Sequence, residues 1–396
     1  MRNGYVTSAI LGALWVFVIA VTIAVALSFA TGAALRPSLL LSLFWGGLIG
    51  LGVLRGLVFG LGAAGAAAIA AFIGFGPVIA ESQSLLFLAG HLVLAGVSWA
   101  GLNAILQGLP RGSLTRHEFE EAIIRFLLRV GIIFFVALVF VPFYVMVMTS
   151  LKNQAQLMSN PLDFSIDLSQ GWGLFRAYVE LFRDFNFGGY LWTSTYVSVL
   201  TVLLTLLFSI PGAYAVARLR FTGRAAFSRS ILLIYMVPMI VLALPIYIAF
   251  SMTGLRNTIL GLVMIYPVTT IPVALYMLQG YFRGLPAEVE EAGLMDGLSR
   301  LQVIWKITLP LSLPAMASVS LYVFMISWNE FLLAFMLLDD PSIFTLTRGV
   351  AALDSSEVPR QNLMAGAVVA TVPIMVVFLV LERFMTKGLT AGSVKG

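Results

Sequence analysis

Ten long apolar runs dominate this sequence and restrict what the chain can fold into. Each approaches the roughly 20 residues that a helix needs to cross the hydrocarbon core of a bilayer. The 396-residue chain is 60% hydrophobic and only 10% charged, whereas about 25% of the residues in a soluble domain carry charge. Because backbone polar groups in lipid must be satisfied within the spanning structure itself, runs of this length predict an all-α membrane protein.

The runs are interpreted as separate transmembrane helices, two of which are divided only at Arg55. The first run could instead be a cleaved signal peptide, but it is longer than the usual signal core, which favours an uncleaved helix. The predicted helices lie near Ile10–Ala30, Ser38–Leu54, Gly56–Ala80, Ser84–Leu106, Val130–Ser150, Leu191–Ala217, Ser230–Phe250, Thr258–Phe282, Ser312–Leu337 and Met364–Phe384.

A charged stretch at 108–128 divides the chain into two membrane parts. Residues 1–107 form an N-terminal extension of about four helices, 108–128 form an amphipathic cytoplasmic linker, and 129–396 carry the remaining helices. The extension is rich in glycine and alanine, which let helices pack closely in lipid. Its role stays open between a stabilising or insertion-assisting module and a regulatory or partner-binding one.

The distribution of basic residues predicts the orientation, because Lys and Arg are retained on the cytoplasmic side of a membrane. Most of the 23 Lys and Arg residues fall on one side when both termini are placed in the cytoplasm. The loop at 283–312 then lies in the cytoplasm as well. The same bias accounts for much of the net charge of +5, so a nucleic-acid partner is not implied.

This cytoplasmic loop is a charged island between apolar runs, which is typical of a docking surface. Pro286 is suited to the first turn of a short helix, and the helix dipole favours Glu288 and Glu290 near its start. Gly297 is suited to a left-handed cap that ends the helix. Ser299 is then a predicted N-cap for a second short helix.

Residues of the first short helix are predicted to form the docking surface itself. Glu288, Glu291 and Met295 share one face at helical spacing. Ala292 and Gly293 are small enough to let a partner approach closely. The sequence therefore predicts a short helix to which another protein binds.

The loop carries a spaced motif, made of Glu291-Ala292-Gly293, then Gly297, Ile307 and Leu309-Pro310. This motif resembles the EAA loop of ABC importer permeases, with Gly293 in place of the second alanine. Two further segments, Trp328-Asn329-Glu330-Phe331 and 388–396, resemble the carbohydrate-uptake branch, in particular the maltose-type permease with shorter external loops. The resemblance covers 129–396.

The resemblance implies the transmembrane domain of a type I ABC importer, six helices preceded here by about four extra ones, in a bacterial inner membrane. It implies a heterodimer with a second permease, two cytoplasmic ATP-binding subunits, and an extracytoplasmic solute-binding protein. ATP and Mg are expected on the ATPase subunits, with no cofactor on this chain. The expected cargo is a disaccharide or alpha-glucoside, and a polyol, a sugar phosphate or a modified sugar stays open. The implied ATPase-docking residues are Glu288, Glu291, Ala292, Gly293, Asp296, Gly297, Ile307, Leu309 and Pro310.

Two further groups of residues are candidates for contact with cargo or partner. Asn329 and Glu330 place an acid and an amide within a predicted membrane helix, where an ionisable group is costly and commonly faces a cavity or a hydrogen-bond partner. They are interpreted either as part of the translocation path or as a polar lock between the two permeases. By resemblance alone, the outer loop is expected to reach the binding protein through Asp340, Thr345, Arg348 and Gly349.

Sequence patterns for ATP hydrolysis or metal chemistry are missing from this chain. A phosphate-binding loop would end in Gly-Lys-Ser or Gly-Lys-Thr, but none of the lysines follows a glycine, and two histidines without cysteine are too few for a zinc site. No catalytic residue and no metal ligand is predicted, so the driving energy is expected from another polypeptide. The alternative is an ion-coupled secondary transporter that uses Glu330, which leaves the loop motif unexplained.

Overall fold

The computed structural model describes residues 3–79, 85–160, 165–354 and 358–391 of the chain. The last five residues of the C-terminal resemblance lie outside this part. The chain divides into two compact units, Met1–Leu174 (unit 1) and Phe175–Gly396 (unit 2).

Unit 1 is built from helices and one short strand pair. In chain order its elements are α1 (Gly4–Thr31), β1 (Arg36–Pro37), α2 (Leu39–Arg55), α3 (Leu57–Ala71), β2 (Val78–Ile79), α4 (Leu85–Ile105), α5 (Arg116–Ser150) and α6 (Gln154–Ser159), and a 3-10 segment begins at Leu168. The strands pair antiparallel. Helices α1 and α2 pack closely because Gly12 has no Cβ; a Cβ there would collide with the backbone of Gly46 and Gly50.

The second part of the charged linker, from Arg116 onwards, and the fifth predicted helix form one element, α5, of 35 residues. Its N-terminus is closed by a capping box of Thr115 and Glu118. Arg111 donates from Nε to the carbonyl oxygen of Leu54 at 3.2 Å and from Nη2 to that of Arg55 at 2.8 Å. The linker is thus hydrogen-bonded to other parts of unit 1. The two compact units divide after Leu174 and not within 108–128. The predicted domain boundary at 108–128 stays a prediction.

Unit 2 contains only helical elements among its described residues. They are α7 (Arg176–Asp184), α8 (Phe187–Arg218), α9 (Arg224–Tyr235), α10 (Met239–Met252), α11 (Ile259–Gly284), α12 (Ala287–Met295), α13 (Arg300–Val303), a π turn (Ile304–Thr308), α14 (Leu309–Leu311), α15 (Leu313–Trp328), α16 (Leu332–Leu337), a 3-10 turn (Pro341–Ile343), α17 (Leu346–Ala352) and α18 (Arg360–Ala391). Helix α8 packs against α11 and α15, and α15 packs against α18.

Within the described residues, six helices are long and apolar enough to cross a membrane, or seven if the bent pair Arg300–Leu311 and Leu313–Trp328 is one span. The six are α1, α4, α5, α8, α11 and α18, while α2, α3 and α10 are shorter apolar helices. The ten predicted runs all appear as helices, of which α2, α3 and α10 are shorter than the roughly 20 residues expected of a span.

Three predicted helices are shorter or broken in the structure. Helix α3 ends at Ala71, because Gly74 takes a left-handed φ of 79° and the chain then enters β2. The run Ser230–Phe250 is divided before Pro238, which lacks an N–H and disfavours helical geometry in the residue before it. The run Ser312–Leu337 is interrupted at Asn329–Phe331, between α15 and α16.

Candidate docking loop

Helix α12 has one exposed face, as its sequence predicts. Glu288, Glu291 and Ala292 are exposed, and Met295 is 88% exposed. Asp296, the C-cap residue, is exposed as well. Two carboxylates and a thioether therefore lie together where another protein can reach them, and the predicted common face is confirmed.

Gly293 lies on the opposite, buried face of α12, so the prediction that it receives a partner is wrong. A Cβ at this position would be 2.5 Å from Cδ1 of Ile307 and 3.5 Å from Cδ1 of Leu298. Ile307 thus occupies the space that a methyl group would need. This packing gives a physical reason for the glycine: the residue that departs from the motif faces another residue of the same motif.

The end of α12 is a Schellman motif built around Gly297. Gly297 has φ of 85°, its N–H donates to the carbonyl oxygen of Leu294 at 3.1 Å, and the N–H of Leu298 donates to that of Gly293 at 3.1 Å. A side chain at position 297 would strain this conformation. The predicted left-handed cap is confirmed.

The chain then returns through a second helical segment, as predicted. Ser299 and Gln302 form a capping box at the start of α13. The segment Arg300–Leu311 meets α15 at an angle of 77°. Half-buried Leu309 and exposed Pro310 lie just before this bend, which agrees with their predicted place where the loop turns back towards the membrane.

Glu290 is a buried residue of this loop whose partners sequence reasoning missed. Its Oε2 accepts a hydrogen bond from the Tyr214 hydroxyl at 3.2 Å, and its Oε1 accepts one from Thr308 Oγ1 at 3.0 Å. Nε of Arg218 lies 3.4 Å from Oε1. The available sequence signal was spacing, since Glu290, Gly293 and Gly297 recur at the period of one helix face.

Glu330 lies just before α16, and its carboxylate accepts hydrogen bonds from backbone amides of that helix. Its Oε1 accepts from the N–H of Leu333 at 2.9 Å and its Oε2 from the N–H of Ala334 at 3.1 Å. The side chain also lies near the Tyr266 hydroxyl of α11. The ion-coupled alternative needs Glu330 to bind and release the coupling ion, and a carboxylate already held by two backbone amides does not favour that role. The same hydrogen bonds explain the buried acid without a polar contact between two permeases.

Asn329 is exposed, and its Nδ2 donates to the carbonyl oxygen of Met325 at 2.8 Å. The amide thus competes for a helix carbonyl at the place where α15 ends. Its role in a translocation path stays a prediction.

The outer-loop candidates divide into exposed and buried positions. Asp340 is exposed, and the backbone N–H of Ser342, which donates to it at 2.8 Å, lowers the pKa of its carboxyl. Thr345 is buried, and Gly349 packs against the ring of Tyr190. Both positions are buried within unit 2, so their predicted contact with a binding protein is corrected.

Arg348 is half-buried between aromatic rings of unit 2. Its guanidinium carbon lies 4.7 Å from the ring centroid of Phe335 and 4.4 Å from that of Phe344. Asp340 and Arg348 are the two of the four candidates that a partner can reach. Among the described residues, no cluster of three or more His, Asp or Glu side chains could hold a metal ion.

Comparison with known proteins identifies the family. Residues 209–390 match the binding-protein-dependent transport system inner membrane component family. The inner membrane ABC transporter permease protein YcjP of Escherichia coli is 38% identical over 269 residues, which are 67% of this chain and 95% of that protein. The trehalose/maltose transport system permease protein MalG of Thermococcus litoralis is 32% identical over 282 residues, 70% of this chain and 99% of that protein.

Two further comparisons agree. The trehalose transport system permease protein SugB of Mycobacterium tuberculosis is 35% identical over 225 residues, covering 56% of this chain and 82% of that protein. A crystal structure of a bacterial ABC transporter involved in the import of the acidic polysaccharide alginate superimposes with a TM-score of 0.58 on 68% of this chain and 98% of that chain, at 23% identity. That likeness shows the fold, and the predicted type I importer domain is confirmed. The chain belongs to the family of binding-protein-dependent transport system inner membrane components, the membrane-spanning permease subunits of ABC transporters.

Proposed function

We propose that this chain is the permease subunit of an ATP-driven sugar importer, and that α12 is the element through which an ATPase subunit moves it. The observation that carries the proposal is the exposed face of α12, on which Glu288, Glu291 and Met295 lie together. The helix is stopped at its end by the Gly297 cap, so it presents this face in a fixed conformation. A preorganised surface loses less entropy on binding than a flexible one.

The proposed assembly contains a second permease in a heterodimer, two cytoplasmic ATPase subunits and an extracytoplasmic solute-binding protein. ATP and Mg bind on the ATPase subunits. The membrane is the bacterial inner membrane, with both termini of this chain in the cytoplasm, as the basic residues predict. Closure of the ATPase dimer on ATP moves α12 and turns the membrane helices from inward-facing to outward-facing, and hydrolysis resets them.

The proposed cargo is a disaccharide or an alpha-glucoside. Two relatives carry trehalose or maltose in their names, and both sugars are disaccharides of glucose. A binding screen of glucosides on the cognate solute-binding protein tests this proposal. Tight binding of a monosaccharide alone, with none of a disaccharide, would contradict it.

Glu291 is the proposed charged contact with the ATPase subunit. Because it is exposed, Glu291→Lys leaves the packing of the loop unchanged and reverses a charge at the interface. Removing one member of a charge pair that is buried and hydrogen-bonded at an interface costs about 2–5 kcal/mol. We expect sugar uptake to fall by more than tenfold on that basis, while the amount of permease in the membrane stays the same.

The matched control is Glu120→Lys, which reverses the charge of an exposed glutamate in an i,i+4 pair with Arg116 on α5. Uptake by this variant should equal that of the unmodified chain. The assay is uptake of labelled sugar by cells, together with co-purification of the ATPase subunits. Normal uptake by Glu291→Lys, or accumulation of sugar with no ATPase subunit present, would contradict the proposal.

A further inference from the structure

Glu290 is a buried carboxylate beside an exposed one. It is 7% exposed, whereas its neighbour Glu291 is exposed, because consecutive residues of a helix point about 100° apart. Burying a charge is costly unless the charge is paired and hydrogen-bonded. Glu290 meets both conditions, and the way it meets them joins separate parts of unit 2.

Two segments outside α12 converge on the Glu290 carboxylate. The last turn of α8 contributes the Tyr214 hydroxyl, 3.2 Å from Oε2, and the Arg218 guanidinium, whose Nε is 3.4 Å from Oε1. The π turn contributes Thr308, whose Oγ1 is 3.0 Å from Oε1. Arg218 also donates from Nη2 to the carbonyl oxygen of Leu285, between α11 and α12, at 2.7 Å.

Glu290, Tyr214, Arg218 and Thr308 form a polar cluster that attaches α12 to a long membrane helix, α8. Apart from the contacts of this cluster, α12 packs mainly on α13 and the π turn, which follow it directly in the chain. Helix α8 is different, since it runs for 32 residues and packs against α11 and α15. A displacement of α12 that keeps the cluster intact must therefore move the end of α8 as well.

We propose that Glu290 is a positioning residue that fixes the docking helix α12 to the C-terminal end of α8. Movement imposed on the exposed face of α12 then passes to a transmembrane helix and is not absorbed by the loop. The inference rests on the proposed docking function. It assigns the two neighbouring glutamates separate tasks: Glu291 contacts the ATPase subunit, and Glu290 transmits the movement.

Glu290→Gln is the direct test, because the amide keeps the shape of the side chain and removes its charge. The experiment uses the complete importer in proteoliposomes and measures sugar transported per ATP hydrolysed. We expect the ATPase subunits to co-purify as before and this ratio to fall roughly tenfold, within the range of a single coupling free energy. A role in folding alone would lower the amount of complex and reduce both rates together, leaving the ratio unchanged.

Because the chain contains no cysteine, two spin labels report the attachment directly. Ala287→Cys lies at the start of α12 and Thr222→Cys just beyond α8, both at exposed positions. With Glu290 present, one narrow label-to-label distance distribution should persist with and without ATP. In Glu290→Gln the distribution should broaden, and an unchanged distribution with an unchanged ratio would overturn the inference.

Two variants keep the test decisive if Glu290→Gln assembles poorly. Tyr214→Phe deletes only the hydroxyl that donates to Oε2, and should lower the ratio by about fivefold, the size of one net hydrogen bond. Glu120→Gln makes the charge-neutralising change in an exposed pair and should leave the ratio unchanged. A normal ratio in Tyr214→Phe, when Glu290→Gln cannot be assembled, would also overturn the inference.

Failure of the docking proposal has a different signature. If Glu291→Lys transports normally, both proposals fall, because α12 then carries no force. If Glu291→Lys abolishes uptake while Glu290→Gln keeps its ratio, docking stands and the positioning role of Glu290 is wrong.

Discussion

Gly293→Ala restores the alanine of the EAA motif, and the packing of Ile307 predicts that two opposing effects nearly cancel. Removing glycine from a helix interior gains about 1 kcal/mol. The new Cβ would lie 2.5 Å from Cδ1 of Ile307, whereas ordinary contact begins at 3.4 Å. The Cδ1 atom must retreat by about 1 Å, and an off-rotamer shift costs about 0.5–1.5 kcal/mol. The net change in the stability of the loop is therefore within about 1 kcal/mol of zero.

The second substitution in this cycle is Ile307→Val, which removes the Cδ1 methyl group. By itself it should cost about 0.5–1.5 kcal/mol, since it leaves a small cavity beside Gly293. In the double variant the new methyl at position 293 fills that cavity. We therefore expect the double variant to be more stable than the sum of the single changes by about 1 kcal/mol.

The unmodified chain, the two single variants and the double variant are compared by hydrogen exchange of the α12 amides in the purified complex. The exchange rates give the free energy of local opening of α12 in each chain. Gly280→Ala is the matched control: Gly280 lies in α11, and nothing lies within 4 Å of the Cβ it would gain. Its effect should add to that of Ile307→Val without coupling. Additivity of Gly293→Ala and Ile307→Val within about 0.3 kcal/mol would refute the explanation of the glycine.

Three further predictions follow from unit 2. Gly349→Ala should overpack the Tyr190 ring and destabilise the purified subunit by about 1–3 kcal/mol, measured as a lower thermal midpoint in detergent; an unchanged midpoint would contradict the packing. Glu330→Ala should leave two backbone N–H groups of α16 without their acceptor and raise hydrogen exchange in α16 selectively, and equal exchange would show that the carboxylate is not needed there. The hydrogen bond from Arg176 lowers the pKa of Glu180, so the stability this carboxylate gives is present above its ordinary value of 4.5 and is lost as pH falls through the lowered pKa; exchange of α7 amides should rise in that range, and Glu180→Gln should remove this dependence.

Local signals in the sequence are sufficient to predict the exposed face of α12 and the ends of the two short helices in the loop. The left-handed cap at Gly297, the N-cap at Ser299 and the exposed face of α12 all depend on residues within a few positions of one another. Such features are set by backbone sterics and by the helical period, which do not require tertiary contacts. They were predicted for that reason.

Breaks within apolar runs were harder to predict, because proline acts differently from place to place. Pro211 lies inside α8 without ending it, whereas α9 stops before Pro238. In a membrane helix, neighbouring groups can satisfy the carbonyl that a proline leaves free. Whether they do so is decided by packing from other helices. The break between α15 and α16 was also not predicted from the sequence. There the two carboxylate oxygens of Glu330 accept hydrogen bonds from the N–H groups of Leu333 and Ala334, so that α16 begins as a separate helix.

The separation of Glu290 from Glu291 shows most clearly where sequence reasoning ends. Both are acids of one short helix, and the helix dipole, which favours Glu290 in the first turn, does not decide which of the two side chains is buried. Which one turns inward is decided by partners far away in the chain, since Tyr214 lies 76 residues before Glu290. Once that hydrogen-bonded carboxylate is fixed inside, the helical period turns Glu291 about 100° away from it, into an exposed position. The exposure of the motif glutamate is thus a consequence of the burial of its neighbour, and the proposed docking surface and its proposed attachment to α8 are both set by one rotation of α12.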